Sequence, residues 1–215
     1  MPNPASKSIK SLLSEMPLIA ILRGVKPEEA PQVAKVLIDA GFRIIEVPLN
    51  SPSPIESIRR MVHELGDQAL FGAGTVTDPL SIAEIKAAGG RVIVSPHLDA
   101  DIVNLTKKSE LFSIPGVATP SEAFSALAAG ADALKLFPGE ACPPNVLKAI
   151  KVVLPPQTLL LPVGGINTGN MADYWQAGAA GFGIGSNLYA PGRNVEEIAL
   201  RANELVVAMN SIRGG

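Results

Sequence analysis

Short, almost wholly apolar runs recur along the chain, with longer segments of mixed polarity between them. They are "PLIAIL" from Pro17, "RIIEVP" from Arg43, "ALFGAG" from Ala69, "RVIVS" from Arg91, "LFSIPG" from Leu111, "DALKLF" from Asp132, "LLLPVG" from Leu159 and "AGFGIG" from Ala180. Continuous apolar character without polar alternation predicts strands covered on both faces, and eight such strands suffice to close a parallel barrel. The intervening segments carry helix signals. Pro27-Glu28-Glu29 puts a proline and acids in a first turn, while Asp78-Pro79 and Thr119-Pro120 each set a capping residue before proline, the second followed by Ser121 and Glu122. Gly41, Gly89, Gly130 and Gly178 follow the helical stretches "IDA", "KAA", "LAA" and "WQA", as C-terminal caps would. The alternation runs to a last helix near Val195 to Met209 without a linker or low-complexity tract. The expected fold is α/β: a (β/α)8 TIM barrel, one domain over residues 1–215 with an extra N-terminal helix.

With 215 residues, 47% of them hydrophobic and 18% charged, the chain has enough apolar material for one large core. A formal charge of −2 and a pI near 5.7 supply no basic field, and the lysines and arginines are scattered, so neither nucleic acid nor an anionic membrane is an expected partner. The lone cysteine, Cys142, excludes an internal disulfide and a multi-cysteine metal cluster, and reads as a passive thiol before Pro143 and Pro144. "MPNPASKSIKSLLSEM" lacks the apolar run of a signal peptide, and no later segment is suited to spanning a bilayer; a cytoplasmic location is expected.

In parallel barrels the reactive groups lie at the C-terminal strand ends and in the loops that follow. Taken in chain order, this collects Arg23, Glu46, Thr75, Pro96 with His97, Pro115 with Gly116, Lys135 with Phe137, Gly164 with Gly165, and Gly185 with Ser186. Period-two alternation sets Ala133, Lys135 and Phe137 on one face of their strand, and Ile44, Glu46 and Pro48 on one face of theirs. Lys135 is the only lysine inside a predicted strand. An ammonium in an apolar barrel mouth loses hydration, its pKa falls, and the neutral amine can attack a carbonyl. Glu46 in the same surroundings would be pushed up toward the range of a general acid and base. The competing interpretation is a structural Lys135–Glu46 ion pair, which would oppose both shifts and often fails to repay desolvation.

"PVGGINTGNM" and "GIGSNLYAPG" place glycines on adjacent strand ends, where backbone N–H groups can approach a phosphate, the usual role of loops seven and eight; simple tight turns are the alternative. Arg23 suits a planar carboxylate, with Thr75 donating a hydroxyl, or is merely a surface arginine. His63 and His97 are too few and too dispersed for a histidine-based metal site, although carboxylate ligands stay open. "GAGTV" and "GFGIGS" lack the full glycine spacing of a dinucleotide fingerprint.

Read together and in order, "AILRG", "EVPLNSP", "GAGTV", "SP" before His97, "IPGVATPSEA", "ALKLFP", "VGGI" and "GIGS" resemble the pyruvate-dependent 2-keto-3-deoxy-6-phosphohexonate aldolases, the KDPG/KHG class I family, over nearly the whole chain. The resemblance implies a Schiff-base aldolase in a (β/α)8 barrel, a homotrimer, with no metal or organic cofactor. It implies that Lys135 forms the imine, that Glu46 moves protons, that Thr75 and Arg23 hold the pyruvate carboxylate, and that Pro96 and Phe137 pack around the imine. Gly164, Gly165, Gly185 and Ser186 would receive the phosphate.

Two departures bear on the substrate. Where gluconate-type members read Glu-Val-Thr-Leu-Arg and Thr-Gly-Gly, this chain reads "EVPLN" and "VGG", so Asn50 replaces an arginine, and Val163 cannot hydrogen-bond a sugar hydroxyl as threonine can. Both variants resemble the galactonate-acting members. The reaction so implied is reversible cleavage of 2-dehydro-3-deoxy-6-phospho-D-galactonate to pyruvate and D-glyceraldehyde 3-phosphate. Alternatives are the gluconate epimer or 4-hydroxy-2-oxoglutarate as substrate, a non-Schiff-base phosphosugar isomerase or epimerase, and a non-catalytic phosphosugar-binding protein.

Overall fold

The computed structural model describes residues 7–214, so the first six residues of the N-terminal stretch lie outside the described residues. Helix α1 (Ile9–Glu15) precedes β1 (Leu18–Ile21), after which strands and helices alternate: α2 (Ala30–Ala40), β2 (Ile44–Pro48), α3 (Pro54–Leu65), β3 (Leu70–Gly74), α4 (Ser81–Ala87), β4 (Val92–Val94) and α5 (Ala100–Lys108). The second half continues with β5 (Phe112–Ile114), β6 (Gly116–Val117), α6 (Pro120–Ala128), β7 (Leu134–Leu136), α7 (Pro144–Val153), β8 (Leu160–Pro162), α8 (Met171–Gln176), β9 (Phe182–Ile184) and α9 (Val195–Gly214). All pairings are parallel, in a six-stranded sheet ordered β5-β4-β3-β2-β1-β9 and a three-stranded sheet ordered β6-β7-β8. A bridge between Val163 and Gly183 joins the end of β8 to β9. The result is a TIM-barrel-like parallel α/β fold.

The predicted run "LFSIPG" is interrupted at Pro115, which has no N–H for a ladder bond; its carbonyl still accepts the Lys135 N–H at 2.9 Å. Thr119 caps α6 in a full capping box with Glu122, as its sequence foretold. Asp78 does not cap a helix directly. Its Oδ1 accepts the Leu80 N–H, a local turn that delays α4 to Ser81. Pro27 to Glu29 likewise form a turn ahead of α2. Gly41, Gly89, Gly130 and Gly178 all adopt positive φ at the helix ends, the conformation that favours glycine. Helix α9 runs past Met209 to Gly214, and Arg213 in its last turn donates to the carbonyls of Ser14 and Glu15 at the end of α1.

Two apolar clusters divide the interior. The larger lies between the sheets and the helices, with α2 burying Ala30, Val33, Ala34, Leu37 and Ile38 at helical spacing. The smaller gathers alternate strand residues, among them Ile19, Ile44, Leu70, Val92, Ala133 and Leu161, together with Ile9, Leu12 and Leu13 of α1. Helix α1 therefore packs into the inward faces of the strands. With that space filled, the opposite, C-terminal strand ends are left to form a pocket. No described helix is long and apolar enough to cross a membrane.

Candidate active site

Lys135 is the middle residue of β7, between Leu134 and Leu136 of the outer cluster, so alternation turns its side chain inward with that of Ala133. It is 4% exposed, and its Nζ lies 4.6 Å from the centroid of the Phe137 ring. Glu46 is turned inward the same way in β2 and is 2% exposed. A Cβ added to Gly74 would lie 1.9 Å from Glu46 Oε2, so the glycine makes the room the carboxyl occupies. Both ionisable groups line a small apolar cavity with Ile19, Ile21, Val94 and Ile114.

Burial decides the electrostatics there. Loss of hydration pushes the Glu46 carboxyl up to about 7, against the opposing pull of Lys135 and then Arg23. Burial likewise lowers the Lys135 amine, partly offset by Glu46 and reinforced by Arg23. Glu46 Oε2 has no hydrogen-bond partner among the described residues, and no ion pair joins it to Lys135. The structural ion pair weighed from sequence is thus absent from this arrangement.

Above Lys135 opens a cavity of about 290 Å³ lined by Arg23 after β1, Phe137 after β7, and between them Val163, Gly164 and Gly165 after β8 and Gly185 and Ser186 after β9. Gly164 and Gly165 have φ of 109° and 67°, and a side chain at Gly164 would strike the Gly139 backbone and the Glu140 carboxylate. Asn187 Nδ2 donates to the Ile166 carbonyl at 2.7 Å, tying the two glycine turns together. Arg23, although exposed, is held over the mouth: its guanidinium donates to Asn50 Oδ1 at 2.7 Å and to Thr75 Oγ1 at 3.4 Å. Thr75 itself sits at φ 53°, an uncommon conformation for a non-glycine residue.

The structure therefore brings Arg23, Thr75, Glu46, Lys135, Phe137, Val163 and the two glycine turns to one end of the strands. Pro96 lines neither cavity; it packs against Gly116, where a Cβ would come within 2.4 Å of the Pro96 carbonyl. His63 and His97 are exposed, and burial raises the Cys142 thiol. Sequence reasoning passed over Ile21, Gly183, Asn187, Tyr189 and Pro191 in the cavity wall. The signal was available for some. Gly183 shares the inward face with Gly185, and Asn187 and Tyr189 directly follow the "GIGS" motif.

A family model described as KDPG and KHG aldolase matches residues 9–202. The 2-dehydro-3-deoxy-6-phosphogalactonate aldolase of Escherichia coli (strain K12) is 44% identical over 195 residues, covering 91% of this chain and 95% of the relative. A solved native KDPGal structure is 42% identical with a TM-score of 0.92, covering 94% of this chain and 98% of that one. The KDPG aldolase of Legionella pneumophila, with pyruvate captured at low pH as a covalent carbinolamine intermediate, is 30% identical with a TM-score of 0.83 over 93% of this chain and 98% of its own. The match of the family model over most of the sequence, and identity above two residues in five to a relative of nearly equal extent, mean that the chain belongs to the KDPG and KHG aldolase family.

Proposed function

We propose that this chain is a class I aldolase that reversibly cleaves 2-dehydro-3-deoxy-6-phospho-D-galactonate to pyruvate and D-glyceraldehyde 3-phosphate. The observation that carries the proposal is a buried, unpaired amine, Lys135, at the floor of a cavity lined by an arginine and two glycine turns. A neutral amine is a nucleophile, and the depressed pKa of Lys135 raises its neutral fraction near neutrality.

Lys135 Nζ attacks the C2 ketone, water leaves, and a protonated imine forms. The Glu46 carboxylate takes the proton of the C4 hydroxyl, the C3–C4 bond breaks, and its electron pair moves into the imine to give an enamine. The C4 fragment departs as D-glyceraldehyde 3-phosphate. Glu46 returns its proton to C3, and hydrolysis of the pyruvate imine frees the amine. Arg23, steadied by Asn50 and Thr75, faces the carboxylate; the backbone of Gly164, Gly165 and Gly185 with Ser186 receives the phosphate. Phe137 packs beside the imine nitrogen, and Pro96 supports that end of the barrel from behind Gly116. Val163 offers no hydrogen bond to the sugar, and the resemblance in name of the Escherichia coli relative supports the galactonate configuration.

The same proposal includes the architecture around the site: β5 and β6 count as one strand broken at Pro115, the Val163–Gly183 bridge closes the circle, and one eight-stranded domain spans the chain. It includes a homotrimer in the cytoplasm, of three times the 22.3 kDa chain mass. Borohydride reduction in the presence of pyruvate should attach one pyruvate-derived mass to Lys135, located by peptide mapping. A Lys135→Ala protein that still traps pyruvate refutes the mechanism.

A further inference from the structure

The loop after β1, residues 22–29, carries Arg23, and the loop after β9, residues 185–194, carries Ser186. They are far apart in sequence yet meet at two points. Gly24 has φ 86°, and a Cβ there would come within 2.6 Å of Pro191 Cγ, so the loops touch where only glycine fits. Tyr189, 2% exposed, donates from its hydroxyl to Glu29 Oε1 at 2.8 Å, and the same oxygen accepts the Lys26 N–H at 3.1 Å. Burial first, then the Glu29 carboxylate, push the Tyr189 hydroxyl well above the ordinary phenol value, so it remains a donor across the physiological range. A third loop joins the assembly: the Gly24 N–H donates to Ser51 Oγ at 2.9 Å, next to the Asn50 that holds Arg23.

We propose that the Tyr189–Glu29 hydrogen bond is a latch between these loops, a positioning pair that fixes the span from the Arg23 rim to the Ser186 rim of the cavity. This rests on the aldolase reading, in which the two rims hold the two charged ends of one substrate. The full-length substrate must satisfy both rims at once, whereas pyruvate needs only the Arg23 side and Lys135. Loosening the latch therefore penalises the phosphorylated six-carbon substrate and spares the half-reaction with pyruvate.

The latch is distinguished from generic support by its acceptor chemistry. Glu29→Gln keeps an oxygen for Tyr189 and Lys26, while Glu29→Ala removes it. In the full-length protein, Glu29→Ala should raise KM for 2-dehydro-3-deoxy-6-phosphogalactonate about tenfold, the effect of losing one charge-assisted hydrogen bond. Pyruvate C3 proton–deuterium exchange should change less than about twofold, and Glu29→Gln should restore most of the KM. Tyr189→Phe should match Glu29→Ala for cleavage, with the double variant no worse than either single one. Amide hydrogen exchange across residues 22–29 should quicken in Tyr189→Phe, since breaking the bond frees both loops.

Unchanged exchange in residues 22–29, an unaltered KM, or equal losses in cleavage and pyruvate exchange would each overturn the latch. If the unaltered protein fails to exchange the C3 protons of pyruvate, the aldolase reading falls instead, and the amide measurement still decides whether the loops are latched.

Discussion

At the scale of single residues, the site turns on one carboxyl kept from forming a pair. Glu46 is pushed to about 7 because burial removes its hydration and no donor replaces it at Oε2. As the proposed base it works deprotonated, so kcat should fall on the acid side with an apparent pKa near 7, measurable as a pH–rate profile of cleavage. The same shift carries a stability consequence of definite sign. Below an unfolded-state pKa near 4.5, both states hold the proton and Glu46 contributes no penalty; between there and about 7 only the unfolded state gives it up, so stability falls by roughly 3 kcal/mol and then levels off once the buried group ionises. Glu46→Gln removes that titration. The variant should gain stability over the unaltered protein between pH 5 and pH 8, by comparison of urea midpoints, while its kcat collapses at both. Lys135 adds an opposite trend in both proteins, since its depressed amine makes stability rise with pH, and without the Glu46 charge that amine is depressed further. A Glu46→Gln protein that keeps the acid limb, or gains nothing at pH 8, would show that another group titrates.

At the scale of elements, β3 shows how neighbouring inward positions divide their tasks. A Cβ at Gly72 would lie 1.9 Å from the Val92 carbonyl oxygen, a backbone atom fixed by the β3–β4 ladder. A Cβ at Gly74 would lie equally close to Glu46 Oε2, the mobile end of a side chain. Gly72→Ala should therefore lower stability by about 3 kcal/mol, because the strands must part. Gly74→Ala should fold nearly normally yet lose kcat about 10²-fold by displacing the carboxyl. Urea midpoints and turnover, measured on both variants, would separate the two; matched stability losses would mean that Glu46 is not free to swing. The difference was not visible in "LFGAG", where both glycines simply sit two residues apart. What was visible followed from local physics. Parallel strands covered on both faces read as apolar runs, glycine marks the helix ends, and a lysine inside such a run stands out because its desolvation needs a purpose. Contacts that depend on the strands curving round to meet were not. The Tyr189 hydroxyl reaches Glu29 across 160 residues, and Asn50 holds Arg23 only because the ends of β1 and β2 stand side by side.

At the scale of the whole molecule, the two ends of the strands serve different purposes. Helix α1 sends Ile9, Leu12 and Leu13 into the inner cluster, filling the N-terminal side, while the glycine turns, Lys135 and Arg23 occupy the C-terminal side. Leu12 is fully buried and lines neither cavity at the active end. Replacing it by alanine leaves a void that the surrounding strands cannot readily collapse onto, since parallel ladders hold β1 to β4 each between two neighbours; the expected loss is about 3 kcal/mol. If residues 7–214 form one cooperative domain, that loss should move the denaturation midpoints of far-ultraviolet circular dichroism and of activity together, with kcat in the absence of denaturant within about twofold of the unaltered protein. Separate midpoints would mean that α1 and its cluster unfold apart from the active end, and a large fall in kcat without denaturant would mean that the floor of the barrel sets the geometry of Lys135.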